Sequence, residues 1–199
     1  QLGFLKKTRT GTQLVSILND EIEKTGQVTK IAALCGTTYF STDTCIYQYK
    51  NEKLTVFFNS KKELDIFKVS GELYVYVLDV GLYHLEDQKL KLIKSVSQFK
   101  DFGFHDIVRF NGKLIFKPKR NIGLFVKTQK GTKRFNTQID QMIEDAKVTR
   151  LINYQNKYLI IGTEVNGIFV LDKHGKLVFH LTKSSGLADN HISNIYIDK

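Results

Sequence analysis

Apolar positions along the chain fall in short runs of four to seven residues, bounded by Gly, Asn and Asp. The runs are rich in Val, Ile, Tyr, Phe and Thr, as in "YLIIG" at 158–162. Within them apolar residues alternate or run continuously and do not recur at i, i+3 and i+4, which predicts strands rather than helices. In "GLFVKTQKGTKRF", 123–135, Leu124 and Val126 face one way while Phe125 and Lys127 face the other. Two segments break the pattern, "SILNDEIEKTG" at 16–26 and "NTQIDQMIEDA" at 136–146. Each precedes a Val-Thr strand, and each predicts a short helical turn on a connection.

The strand pattern repeats. Segment 28–58 opens Val-Thr-basic-aliphatic, turns, and runs through an apolar strand to Thr42. It then turns tightly at Cys45-Ile46-Tyr47 and closes on a last apolar strand. Segment 148–181 does the same, with Thr163 and Gly167-Ile168-Phe169 in those places. Segments 71–93 and 111–135 follow the same order, and 2–15 matches 122–135. A Gly-aliphatic-aromatic marker therefore falls at Gly3, Gly81, Gly123 and Gly167, with Cys45 in the Gly slot of one unit. The successive intervals are 42, 36, 42 and 44 residues.

A period near 40 made of short strands is that of a propeller blade, about 40–50 residues for four strands. The expected fold is all-β, a β-propeller-like array of four-stranded blades. Complete units are expected at 28–59, 62–99, 104–136 and 148–182, with partial blades at 1–18 and 190–199. Such sheets are apolar on both faces and must stack on their neighbours. The marker Gly allows a tight turn between second and third strands, so the turn at Cys45 must be built differently.

Composition fits a globular chain: 199 residues, 42% hydrophobic and 25% charged. The apolar runs fall well short of the roughly 20 residues of a membrane helix, so no membrane segment is expected in this chain. The opening "QLGFLKKTRT" does not read as a signal peptide, so an exported protein would carry that segment elsewhere. Net charge is +10, which admits nucleic acid, anionic lipid or anionic glycan as partner. Most lysines sit singly between strands, which reads as a solvated surface, and nucleic acid is not an expected partner. One run is denser: Lys117, Lys119, Arg120, Lys127, Lys130, Lys133 and Arg134, with no acidic residue between. It is either a patch for anionic polymers or a set of outward strand and turn positions. Cys35 and Cys45 flank the predicted strand around Tyr39 to Thr42. At about 3.3 Å per residue they stand too far apart for a disulfide, so two buried, reduced thiols are expected.

The closing segment "SGLADNHISNIYIDK", 185–199, resembles the two-component regulator propeller repeat. That pattern is a Gly-Leu turn, an Asn before a Val or Ile strand, and an Asp just after it. Gly186, Leu187, Asn190, Ile192, Ile195 and Asp198 occupy those places. The other half of the pattern ends in Trp-Ile-Gly-Thr. Its nearest equivalent is "KYLIIGT" at 157–163, with Ile160 where Trp stands, in a chain that has no Trp. The resemblance implies a ligand-sensing, extracytoplasmic segment of a bacterial two-component sensor, periplasmic or extracellular. It implies an oligosaccharide as ligand, the remaining propeller blades as partners, and a histidine kinase or related regulator as parent.

No catalytic machinery is legible. His84, His105, His174, His180 and His191 show no metal spacing, and there is no phosphate loop or nucleophile elbow. No enzyme activity, cofactor or metal is expected. The turns between second and third strands carry "STDT" at 41–44, "VLDVG" at 77–81, "KPKRNIG" at 117–123 and "TEVNG" at 163–167. Because blades repeat, these turns are expected on one face, presenting Asp43, Asp79, Arg120, Asn121, Glu164 and Asn166 either to a ligand or to solvent. Asn190 and His191 lie on the loop before the last strand, where Asn can bond sugar hydroxyls or satisfy local backbone groups. Asp198 is expected to cap a turn. Two other functions fit the sequence: a structural or protein-interaction propeller segment with no small ligand, self-associating through open blade edges, or a binder of anionic polymers. The run 190–199 is expected to be the first strand of a further blade, pairing with residues near the N-terminus or with another chain.

Overall fold

Two-residue hairpins set the basic unit. Cys35-Gly36, Asn51-Glu52, Ser70-Gly71, Asp87-Gln88, Asn111-Gly112 and Gln155-Asn156 all have positive φ at both positions, as a type I′ turn requires. The twist of such turns matches the twist of the strands they join, so each clips two antiparallel strands together. The structure, a computed structural model, describes residues 3–8, 11–16 and 27–198, with side chains from residue 27 onward. The segment expected as a helical turn at 16–26 lies almost wholly outside the described residues.

An opening hairpin pairs β1 (Gly3–Thr8) with β2 (Gly11–Ser16). The first four-stranded sheet holds β3 (Lys30–Leu34), β4 (Thr37–Ser41), β5 (Cys45–Lys50) and β6 (Lys53–Asn59). The second holds β7 (Leu64–Val69), β8 (Glu72–Val77), β9 (Gly81–Glu86) and β10 (Lys89–Leu92). The third holds β11 (Phe104–Phe110), β12 (Lys113–Pro118), β13 (Phe125–Lys127) and β14 (Thr132–Arg134). The fourth holds β15 (Val148–Tyr154), β16 (Tyr158–Thr163), β17 (Ile168–Asp172) and β18 (Leu177–Leu181). All four are antiparallel meanders with strands in chain order. A short helix, α1 (Asp140–Asp145), precedes β15. The fold is an all-β, propeller-like array.

The sheets stack face to face. First strands of successive sheets adjoin, β3 beside β7, β7 beside β11 and β11 beside β15. Ile46 and Ala32 of the first sheet bury against Leu73, Val75 and Ile66 of the second. Phe67, Tyr76 and Leu82 of the second meet Phe104, Leu114 and Phe116 of the third. Ile115, Leu124 and Val126 of the third meet Leu151, Leu159 and Phe169 of the fourth. Leu124 and Val126 thus turn to the fourth sheet, while Phe125 turns back to Phe99 at 5.1 Å. Phe99, on the connection into the third sheet, sits edge-on to Phe104 at 5.5 Å and plugs the second boundary. Each sheet is apolar on both faces and is held by burying them against its neighbours.

The marker position shows its purpose at Gly167, where φ is +72° and a Cβ would stand 2.1 Å from the Leu181 carbonyl oxygen. In the first sheet Cys45 fills this slot, and Thr42 builds the turn. Its Oγ1 accepts the Cys45 N–H at 3.1 Å, and its own N–H bonds the Cys45 carbonyl at 2.8 Å. Both cysteines are free, as expected, but only Cys45 is buried. Cys35 is exposed, because it occupies the first position of a two-residue hairpin whose tip points away from the core.

Residues 190–198 carry no strand assignment. Their chain bonds the fourth sheet instead, through Gly167 N–H to the Asn190 carbonyl and Ile192 N–H to the Thr163 carbonyl, both 2.9 Å. Ile192 and Ile195 rest over Gly162, where an added Cβ would meet each at 3.0 Å. Among the described residues β1 and β2 pair only with each other, so the expected pairing of 190–199 near the N-terminus is not seen.

Candidate functional site

One backbone bond recurs in all four sheets and defines a rim. The end of each second strand is tied to the segment leading into that sheet's first strand. The pairs are Thr29 N–H to Ser41 O, Leu78 N–H to Glu63 O, Lys119 N–H to Gly103 O and Glu164 N–H to Lys147 O, all between 2.8 and 3.1 Å. Further bonds reach the next unit: Leu64 N–H to Asp43 O at 2.7 Å, and Asp79 N–H to Lys100 O at 2.8 Å. The turns between second and third strands therefore lie at the edge opposite the two-residue hairpins, interleaved with the connections between sheets.

On this rim two of the three carboxylates singled out from the sequence, Asp79 and Glu164, already have partners, while Asp43 is exposed. Asp79 pairs with Lys62 at 2.8 Å, and that lysine holds its carboxyl below the usual range. Glu164 pairs with Lys147 at 2.6 Å. Arg120 lies over the Phe102 ring at 4.5 Å, a cation–π contact. Asn121 is exposed, and no hydrogen bond among the described residues occupies its side-chain amide or that of Asn166. The Asn166 N–H bonds Thr163 Oγ1 at 2.9 Å, and its carbonyl accepts from His180 Nε2 at 2.8 Å. Asn190 Oδ1 accepts the Lys183 N–H at 2.7 Å, so this side chain closes a local turn. His191 donates its backbone N–H to Asp189 at 2.9 Å. The structure therefore gathers Glu164, Asn166 and Asn190 around the fourth sheet's turn. Asp79 and Arg120 flank the 100–102 connection.

Between the third and fourth sheets the rim turns basic. Lys117 is fully buried, and among the described residues its Nζ bonds only the carbonyls of Pro118 at 3.3 Å and Arg120 at 3.2 Å. Burial pushes its pKa down to about 8. Burial also lowers His105, helped by Lys117, Lys119 and Lys147, so at neutral pH this histidine is an uncharged donor and acceptor.

The residues that sequence reading missed lie at the opposite edge, between the second and third sheets. Arg109 reaches across to donate from Nη2 to Glu72 at 2.5 Å and to the Tyr74 hydroxyl at 3.1 Å. Tyr74 donates to Glu72 at 2.7 Å, and its ring stacks on His84 at 4.6 Å. His84 Nδ1 meets Glu86 at 2.9 Å, and its Nε2 lies 3.3 Å from Glu72 without hydrogen-bond alignment. Burial pushes the Tyr74 phenol up, reinforced by Glu72. Burial alone would raise Glu72, but Tyr74, Arg109 and His84 together bring it below its ordinary value. No short-range motif links positions 72, 84 and 109; only the stacking of two blades brings them together. Among the described residues no group of three or more His, Cys, Asp or Glu side chains is placed to hold a metal ion. No described helix is long and apolar enough to cross a membrane.

Solved structures share this arrangement. The extracellular domain assigned to a hybrid two-component system of B. thetaiotaomicron superposes with a TM-score of 0.65 at 19% identity, over 85% of this chain and 24% of that one. The extracellular domain assigned to a one-component system of the same organism does so at 0.63 and 17%, over 99% of this chain and 28% of that one. The fold is β-propeller-like. Each sheet is a blade, and the chain spans about a quarter of the length of these two domains. Virginiamycin B lyase from Staphylococcus aureus is similar at 0.60 and 11% identity, over 89% of this chain and 62% of that enzyme. No protein-family model matches the sequence. No curated protein matches it either.

Proposed function

We propose that this chain is a ligand-sensing, non-catalytic propeller segment of a bacterial two-component sensor. It acts outside the cytoplasm and reads a carbohydrate with the rim of middle turns. The observation that carries this reading is the fold shared with the extracellular domains assigned to a two-component and a one-component system, joined to the Gly186-to-Asp198 resemblance at the chain's closing segment. The rim supports it chemically. The Asn121 and Asn166 amides offer donors and acceptors suited to hydroxyl groups, and His105, which feels Lys119 and Glu164 of the same rim, is neutral. A thermal-shift screen with neutral and acidic oligosaccharides tests the proposal, since a ligand that binds only the folded state raises Tm with concentration. The expected hit loses its effect in Asn121→Ala with Asn166→Ala. A panel that leaves Tm unmoved contradicts carbohydrate sensing by this segment.

A second reading, a protein-interaction segment, is favoured by the outer strand of the fourth blade. Phe179 is 61% exposed, with Val178 and Leu181 exposed beside it. Concentration-dependent association in sedimentation, lost in Phe179→Ser, is its signature.

A further inference from the structure

Each blade ends in an outer strand, and the four outer strands are not guarded alike. An open sheet edge presents unpaired N–H and carbonyl groups, and charged side chains, lysine above all, keep other strands away from it. β10 carries Lys89 and Lys91, and β14 is three residues long with Lys133 and Arg134. β18 is closed at its ends. Gln138 Oε1 accepts the Leu177 N–H at 3.0 Å, and Ser185 Oγ accepts the Thr182 N–H at 2.7 Å. β6, Lys-Leu-Thr-Val-Phe-Phe-Asn, is the longest of the four at seven residues, and its one charge is Lys53 at its start. Among the described residues β5 is its only strand neighbour. Thr55 is exposed, and Val56 is 50% exposed.

The hairpin at Asn51-Glu52 fixes which main-chain groups face out. Lys50 and Lys53 close that two-residue turn, and such a closing pair exchanges both hydrogen bonds. Lys53 and Thr55 therefore turn their main-chain groups to β5, while Leu54 and Val56 turn theirs outward, up to the bulge at Phe57. A strand added here must set its own outward residues against Leu54 and Val56. A second β6 does so when it runs antiparallel about a two-fold axis at Thr55. Leu54 then meets Val56 twice, as two hydrogen-bonded pairs, and Thr55 meets Thr55 between them. β-branched residues and Thr–Thr make favourable cross-strand pairs. The same register sets Lys53 against Phe57, so the two lysines lie at opposite ends of the seam.

We propose that β6 is a self-pairing edge, through which two copies of this chain join their first blades into one continuous sheet. The occupant is a second copy because Leu54-Thr55-Val56 is its own complement in the one parity that the hairpin allows. The other edge strand of the first blade, β3, lies beside β7, so the joined sheet has no free edge on which to grow. The assembly is a closed two-fold dimer. The seam uses neither Phe179 nor the rim turns, so it can fail, or hold, independently of both readings above.

Sedimentation of the whole chain across a concentration series, with oxidative cross-linking of cysteine variants, tests this. A monomer–dimer equilibrium is expected, and Phe179→Ser leaves it unchanged. Val56→Pro deletes an outward N–H and spares the donors to β5, as proline on an edge strand does. It is expected to weaken the dimer at least about tenfold. In a Cys35→Ser background, Thr55→Cys is expected to give a disulfide-linked dimer with oxidised glutathione. Opposed residues of a non-hydrogen-bonded pair stand about 4.5 Å apart at Cα. Lys53→Cys, whose copies lie roughly 13 Å apart along the seam, is expected to stay uncross-linked. Thermal melts confirm that the variants remain folded, and the exposed Thr55→Cys reads the register even where Val56→Pro does not fold. Four results overturn the proposal: a monomer at every concentration, a dimer lost in Phe179→Ser or indifferent to Val56→Pro, cross-linking at Lys53→Cys in place of Thr55→Cys, or growth beyond the dimer.

Discussion

Asp106 in β11 accepts the backbone N–H of Leu151 in β15 at 2.8 Å, across the boundary between the third and fourth blades. The same carboxylate accepts the Ile107 N–H at 2.9 Å and stands 3.4 Å from Arg150. It is 5% exposed. No ladder joins these two first strands, so a side chain takes the place of a strand partner for a buried N–H. Asp106→Ala removes that acceptor and is expected to cost about 1–3 kcal/mol, read as a lower midpoint in urea. Stability equal to the parent would show that the tie is dispensable.

The pH dependence of this tie has a definite sign. Burial raises the Asp106 pKa above its ordinary 3.8, against the pull of Arg150 and two N–H groups. The folded state therefore holds its proton more tightly than the unfolded chain does. The resulting stabilisation is fully present below 3.8 and is lost as pH rises through the folded value. Relative to Asp106→Asn, the parent should gain stability on acidification through this window. Parallel stability curves for the two proteins would contradict the assignment.

Lys117 gives the opposite signature. With its pKa lowered from 10.5 to about 8 by burial, its proton leaves the folded state before the unfolded one. Stability should therefore rise between about pH 8 and 10.5 as the buried ammonium is discharged. Lys117→Met should flatten that rise, and chemical denaturation across this range reads the difference.

Gly162 and Gly167 should separate two reasons for a glycine. Gly167→Ala forces φ +72° on a residue with a Cβ, into the Leu181 carbonyl. The expected loss is about 1–3 kcal/mol with the turn itself distorted. Gly162→Ala meets the movable side chains of Ile192 and Ile195, so it should loosen 190–198 and change global stability less. Amide exchange of Ile192 distinguishes the two variants.

The strand runs and their repeat were legible in the sequence because period-two alternation and paired turn residues are local signals. Asn111-Gly112 and the markers at Gly81, Gly123 and Gly167 mark the blade without help from the rest of the chain. The occupancy of the rim was not legible, because it is made by distant partners. Asp79 meets a lysine 17 positions away, and Glu164 meets Lys147 on the segment leading into its own blade. Lys117 read as one of an outward basic run, yet β12 is buried on both faces from Leu114 onward, so alternation places nothing outside there. The Glu72–Tyr74–His84–Arg109 network arises only when blades stack. Cys35, expected to be buried, is exposed because it forms the hairpin tip with Gly36.

The central claim is that the rim of middle turns reads a carbohydrate. Hydrogen–deuterium exchange of the chain, with and without the oligosaccharide that most raises Tm, tests it most directly. The account predicts slowed exchange in peptides covering 117–123 and 163–167, with the hairpins at 111–112 and 155–156 unchanged. Protection confined to the hairpin edge, or none at a saturating concentration, would contradict it.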